Sequence, residues 1–235
     1  MADNYLEKRY EEVFGAGAQK KSVAKRISPS LNTLLVKNRT VRRYRQDFNV
    51  TADQLRTIVG VNAEVASAMN RQTLRFHIVT SDGGTGNVAT CPDSGTLSEA
   101  EAVRRILFRE QMLPYAPGAF IIVCTSVPED RYMDIDLGIS LQSMALKAVE
   151  AGLNCLIKGN IDRDRLRALL ETSCGGPASG GSLEPLAVLC VGKADESVFL
   201  KPVTAEESGI APDLTPYTKD GVHYVPKLRP EDLIV

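Results

Sequence analysis

Two segments of this 235-residue chain are apolar at every position: Phe120, Ile121, Ile122, Val123 and Cys124, then Leu186, Ala187, Val188, Leu189, Cys190 and Val191. Runs of this length suit strands rather than helices, and having no polar face they predict strands covered on both sides. Such strands require helices on both faces of their sheet. Between the two runs, Leu137, Leu141, Met144, Ala145, Ala148 and Val149 recur at helical spacing within residues 135–153, predicting a central, largely buried helix closed by Gly152. Thr51-Ala52-Asp53-Gln54 has the spacing of a capping box ahead of Leu55, Ile58 and Val59, and Ser98-Glu99-Ala100-Glu101 repeats it for a helix running toward Pro114. Ser28-Pro29-Ser30 opens a short helix through Leu31, Leu34 and Leu35, and Asp162 caps another through Leu166, Leu169 and Leu170. Residues 74–79 read as a further strand, and 82–95 as a glycine-rich loop. Strands separated by long helices, without regular strand-helix-strand spacing, predict an α+β sandwich of helices around one sheet.

A chain of this size with 43% hydrophobic and 24% charged residues buries a core large enough to need no metal or disulfide. The five cysteines are scattered without a C-x-x-C pair, and there are only two histidines. Neither a zinc cluster nor a disulfide framework is expected, and the three cysteines in apolar runs read as core residues. The net charge of -1 creates no field that would recruit nucleic acid or an anionic membrane. No stretch reaches the roughly 18–20 apolar residues of a spanning helix, and the charged start MADNYLEKRYEEVF has no apolar leader segment, so a cytoplasmic protein is expected. Residues 1–27 read as an N-terminal helical extension, 28–207 as the main domain, and 208–235 as a C-terminal extension. Four prolines break that last segment, around the strand-like residues 221–225, and it is expected to lie across another surface.

Three clusters carry chemistry. The first is the run Lys37, Asn38, Arg39, Thr40, Val41, Arg42, Arg43, Tyr44 and Arg45, with five cations in nine residues. Guanidinium groups with a hydroxyl and backbone N–H groups suit a phosphate monoester; a solvated basic face or a nucleic-acid contact is the alternative. The second is Ser67-Ala68-Met69-Asn70-Arg71-Gln72, at a helix end just before a strand. On an extended segment the amides of Asn70 and Gln72 project to the same side, each offering donor and acceptor atoms to a heterocycle; a helix stop followed by surface residues explains them equally. The third is Ile157-Lys158-Gly159-Asn160, where a glycine before a helix lets backbone approach a ligand, or simply makes a turn.

Taken in order, the three clusters resemble the nitroreductase family. The motifs concerned are Arg-Arg-Ser-x-Arg early in the chain, Pro-Ser-x-x-Asn-x-Gln-Pro-Trp before the next strand, and a glycine turn after a long core helix. The corresponding residues here are Asn38-Arg39-Thr40-Val41-Arg42 and Ala66-Ser67-Ala68-Met69-Asn70-Arg71-Gln72-Thr73-Leu74. Asp136-Leu137-Gly138, the strand ending at Gly192, and His223-Tyr224-Val225-Pro226-Lys227 extend the likeness. There are departures: Asn38 stands for an arginine, Ala66 for a proline, Lys158 for an acidic residue, and Thr73-Leu74 for Pro-Trp.

The resemblance implies a mostly antiparallel sheet flanked by helices, a homodimer with the C-terminal tail exchanged, and bound FMN at the dimer interface. It places Asn38, Arg39 and Thr40 at the phosphate and ribityl end and Arg42 near the pyrimidine edge. Ala66, Ser67, Asn70 and Gln72 then line the ring or ribityl chain, Lys158 and Gly159 present backbone near N5, and Lys201 is a further phosphate candidate. No side chain need act as catalytic acid, base or nucleophile, because the chemistry sits on flavin N5. The implied cycle is ping-pong, with NADH or NADPH as reductant and an electron-poor small molecule (a nitroaromatic, quinone or enone) as acceptor. The alternative is a flavin-binding storage or sensor protein with little turnover.

Overall fold

The computed structural model describes residues 29–81, 88–91, 95–173, 183–204 and 213–234. The expected extension over 1–27 and the segment 174–182 lie outside them. At the centre is a four-stranded sheet of β1 (Leu74–Thr80), β4 (Ala119–Thr125), β5 (Asn154–Lys158) and β6 (Glu184–Gly192), in the order β1-β4-β6-β5. Every neighbouring pair is antiparallel. The two all-apolar runs are the two inner strands, β4 being buried at all positions and β6 at all but its first.

Alternation along these strands divides the core in two. Ile121 and Val123 of β4 pair with Leu189 and Ala187 of β6, and these side chains pack against α2 (Ala52–Gly60) and α4 (Arg131–Glu150) through Leu55, Ile58, Leu141, Met144 and Ala148. Phe120 and Ile122 pair with Cys190 and Val188 and face α3 (Glu99–Leu107) and α5 (Arg163–Ser173) through Val103, Leu107, Leu166 and Leu170. A strand that is apolar on both faces has thus found a helical layer on each side, which is the α+β sandwich expected.

Local signals account for the helix starts. Thr51 and Gln54 form the complete capping box of α2, and Ser30 accepts from the Thr33 N–H ahead of α1 (Leu31–Lys37). The Ser98 hydroxyl accepts from Glu101 at the start of α3, and Asp162 accepts from Arg165 at the start of α5. Gly152, at φ +77°, takes the left-handed position past the end of α4, where a side chain costs most. Helix α3 stops at Leu107, short of Pro114, which lies in a separate 3-10 segment, Glu110–Tyr115.

Three parts of the chain depart from expectation. The glycine-rich stretch 82–95 contains β2 (Val88–Cys91) and the start of β3 (Gly95–Ser98), which pair antiparallel. Residues 154–158, to which the sequence reading assigned no element, form the edge strand β5. The C-terminal region builds a third sheet, in which β9 (Val222–Leu228) pairs parallel with β7 (Ser197–Val203) and antiparallel with β8 (Tyr217–Lys219). Long-range pairing decides these strands; single-strand propensity is too weak to do so.

A Cβ on Gly192 would lie 2.6 Å from Cδ1 of Tyr44, a ring only 1% exposed and unable to swing away. Gly192→Ala is expected to destabilise the fold by about 1–3 kcal/mol, read as a lower urea midpoint at unchanged m-value.

Cys124, Cys155 and Cys190 are buried. Burial raises the Cys155 thiol from 9.0 to about 12 and pushes Cys190 up as well. A thiol held protonated in the folded state contributes stability that is complete below pH 9 and is lost as pH rises toward 12. Iodoacetamide at pH 8 should leave these three unmodified in the native protein and label them in urea, and the urea midpoint should fall between pH 8.5 and 10.5.

Candidate functional site

Helix α4 divides the candidate residues into two groups. On one side, a cavity of about 360 Å3 lies between the end of α1, α4, β5 and β9. Asn38, Arg39 and Thr40 form one wall, Gln142 and Ala145 of α4 a second, Cys155 and Ile157 of β5 a third, and Val225 and Lys227 of β9 a fourth. The basic run is drawn there by its apolar members. Val41 and Tyr44 are buried, the Val41 N–H donates to the Cys155 carbonyl at 3.0 Å, and Thr40 bridges Cys155 in parallel.

Those anchors sort the cations. Arg39 points inward. One of its terminal nitrogens donates to the Leu35 carbonyl, its Nε is buried without a partner, and desolvation pulls its pKa below the usual arginine value. A half-buried guanidinium with a free N–H in a cavity wall is a seat for an anion. Arg42 is exposed, and the N–H groups of Arg42 and Arg43 both donate to the Glu196 carboxylate. Arg43 stacks on Tyr115, 3.9 Å from its ring centroid, and Arg45 pairs with Asp47 at 2.6 Å.

Lys201 stands elsewhere. Its β7 position is paired with Pro226, and its ammonium lies 5.6 Å from the Tyr217 ring centroid. The lysine in the cavity wall is Lys227, which sequence reasoning quoted without assigning a role. Its signal was the alternation of β9, which puts Val225 and Lys227 on one face. The same rule separates Lys158 from the cavity. Cys155 and Ile157 face it, whereas Lys158 faces the other side with Leu156, its ammonium 4.8 Å from the Phe108 ring centroid. Gly159 follows, and a Cβ there would meet nothing within 4 Å, so internal packing does not require the glycine.

On the other side of α4, a cavity of about 250 Å3 is bounded by residues 62–67, the start of β1, and Asp136 and Ser140 of α4. Ala66, Ser67 and Gln72 line it. The 66–72 segment is not the extended stretch expected. It forms a 3-10 turn at Ala68–Asn70, with Met69, Asn70 and Gln72 at φ 52°, 53° and 48°. Left-handed backbone at a methionine and a glutamine is costly and persists only where neighbours impose it. Here the Asp136 Oδ1 accepts the Ala68 N–H at 2.8 Å, Ser67 Oγ accepts the Gln72 N–H at 3.4 Å, and Arg71 makes two bonds to Asp130 at 2.9 and 3.0 Å. The amides of Asn70 and Gln72 do come together, but by bonding each other at 2.8 Å. Asp136, only 5% exposed, is the organising residue, which the sequence reading quoted as part of the likeness without assigning it a role. Its signal was an acidic residue on the buried side of an apolar helix.

Within one chain, then, residues 38–40 line one cavity and Ala66, Ser67 and Gln72 another. No group of three or more histidine, cysteine, aspartate or glutamate side chains able to hold a metal is found among the described residues, and no described helix is long and apolar enough to cross a membrane.

Comparison with curated proteins returns no match. Among solved structures, a nitroreductase family protein from Streptococcus pneumoniae TIGR4 is 13% identical with a TM-score of 0.53, over 72% of this chain and 92% of that one. A Desulfovibrio desulfuricans protein solved as a nitroreductase in complex with FMN is 19% identical with a TM-score of 0.53, over 72% and 88%. A nitroreductase family protein from Clostridium novyi NT is 13% identical with a TM-score of 0.52, over 71% and 86%. At these identities the likeness is one of fold. The family model for the nitroreductases matches residues 35–193, which takes in both cavities' principal walls and the whole central sheet, and the chain belongs to the nitroreductase family.

Proposed function

We propose that the protein is an FMN-dependent oxidoreductase that uses NADH or NADPH to reduce an electron-poor small molecule and works as a homodimer. The observation that carries this reading is the cavity holding Arg39, Thr40 and Lys227, in which a buried guanidinium N–H lacks a partner. A phosphate monoester supplies the missing acceptor. Arg39 and Lys227 offset its charge, Thr40 and Asn38 offer a hydroxyl and an amide, and the open space over Gly159 admits a flat ring close to backbone. When bound, FMN would supply the redox chemistry between NAD(P)H and the acceptor. The residues around it bind, orient and exclude water, and none need serve as acid or base.

Dimerisation accounts for the separation of the two groups. Tyr132, Ile135 and Ile139 leave an exposed apolar stripe along α4, and Met69 and Val127 are also exposed. Leu31, Leu35, Val36 and Ile157 form a second exposed group around the basic cavity. Apolar surface of this extent on a globular chain marks an interface. Packing one subunit's 66–72 segment against the other's basic cavity brings Ser67, Asn70 and Gln72 to a ring whose phosphate is held by residues 38–40. The exposed aromatics Phe199 and Tyr217 on the C-terminal sheet give the tail a surface to lay on the partner.

Purified protein incubated with FMN should acquire a flavin spectrum that NADH or NADPH bleaches and a quinone or nitroaromatic restores. A protein that stays colourless overturns the reading. Arg39→Met should weaken FMN about tenfold or more, the worth of a charge-assisted hydrogen bond, while leaving riboflavin, which lacks the phosphate, nearly unaffected. Lys227→Ala should weaken FMN by a smaller factor. Lys201→Ala should not, and if it does, the assignment of Lys227 over Lys201 is wrong.

A further inference from the structure

The cavity beside β1 presents an unmet polar demand inside a single subunit. Its wall is apolar at Ala63, Val65, Leu74 and Phe76. Two of its other wall residues carry buried atoms without a partner: Oδ2 of Asp136 and Oγ1 of Thr73. Oδ1 of Asp136 is already committed to the Ala68 N–H. Ser140, also in the wall, is satisfied by donating to Asn62 at 2.5 Å. A carboxylate oxygen left without a donor in a buried site is strongly unfavourable, and native structures seldom leave one so.

Four constraints fix what would satisfy both atoms. The carboxylate only accepts, so the occupant must offer an N–H or O–H. The Thr73 hydroxyl can donate, so a carbonyl suits it. An anion is repelled by Asp136. A cation meets the charge of Arg75, a wall residue that donates at 2.8 Å to the carbonyls of Gln72 and Leu74. A neutral group with adjacent N–H and C=O remains. Size gives the rest, since an apolar cavity of about 150 Å3 already admits benzene and this one measures about 250 Å3.

We propose that this cavity binds small neutral aromatic carboxamides or lactams, the ring against Leu74, Phe76 and Val65, the N–H on Asp136 Oδ2 and the carbonyl on Thr73 Oγ1. Both of this chain's departures at 73–74 act here. Thr73 brings a hydroxyl where the motif it resembles has proline, and Leu74 leaves volume where that motif has tryptophan, a residue this chain lacks altogether. The site is formed within one chain, and its wall shares Ala66, Ser67 and Gln72 with the segment proposed to meet the flavin ring, while Asp136, Thr73 and Leu74 belong to this cavity alone.

The test is a titration of the full chain with benzamide, benzoate, benzylamine and toluene, followed by amide NMR shifts along β1 and α4, with flavin loading measured separately on the same samples. Benzamide is expected to bind about tenfold or more tighter than the other three. Thr73→Val should reduce that affinity several-fold without changing toluene binding, and Leu74→Trp, which fills the cavity, should abolish both. Equal binding of all four probes, no saturable benzamide binding, or benzamide affinity indifferent to both variants overturns the proposal. So does a crystal soaked with benzamide in which ordered water alone occupies Asp136 Oδ2 and Thr73 Oγ1. Because the readout is on protein resonances, a chain that fails to bind FMN yet binds benzamide separates this site from the proposed activity.

Discussion

The antiparallel pairing of β4 with β6 is the contact on which the rest of the molecule depends. Both strands are buried nearly throughout, so neither face of the sheet they start can be left to water. The backbone satisfies its own polar groups by ladder bonds, and the side chains divide by alternation into two apolar surfaces. Each buried Leu, Ile or Phe contributes about 1.5–3 kcal/mol relative to exposure. Two helical layers are therefore required, α2 with α4 on one side and α3 with α5 on the other. The edge strands β1 and β5 then occupy the only positions left, and their outer ends become the walls of the two cavities.

Helix α4 connects this scaffold to the chemistry. Its apolar face, through Leu141, Met144, Ala145 and Ala148, is held in the core. Gln142 then falls on the basic cavity and Asp136 and Ser140 on the other. Asp136 also carries the cost of the left-handed turn at 69–72. One of its oxygens grips that segment by the Ala68 N–H while the other is buried without a partner. Strain in the 66–72 segment and an unsatisfied carboxylate oxygen beside it thus have one source, and the rigid helix that carries the carboxylate keeps both in place.

Much of this could be read from the chain. The capping pattern at Thr51 and Gln54, the glycine after α4, and the two apolar runs depend on neighbours within a few residues, so each appears in the structure as expected. β5 was illegible for the opposite reason. Asn154 to Lys158 has an unremarkable local pattern, and its strand exists because β6 offers an unpaired edge in register from Val188 to Gly192. β2 and β3 likewise exist as a pair rather than as two propensities. At the proposed phosphate site, Arg39 and Thr40 stand out in the sequence as a cation and a hydroxyl in one run, but Lys227 does not. Lys227 reaches the same cavity from nearly the other end of the chain, through a strand whose parallel pairing with β7 no short-range signal encodes.

The amino-acid sequence by itself determined the layer architecture, the capped helix starts and the family, because hydrophobic periodicity and capping act over one or two turns of chain. The tertiary structure alone decided which cations face a cavity, that residues 66–72 turn rather than extend, and that Lys158 points away from the basic pocket. It also decided that Asp136 and Thr73 share a cavity wall with unmet hydrogen bonds. Those outcomes depend on strand register and on which side of α4 a residue falls. A shift of one position would exchange the faces, and only the packed core holds the register.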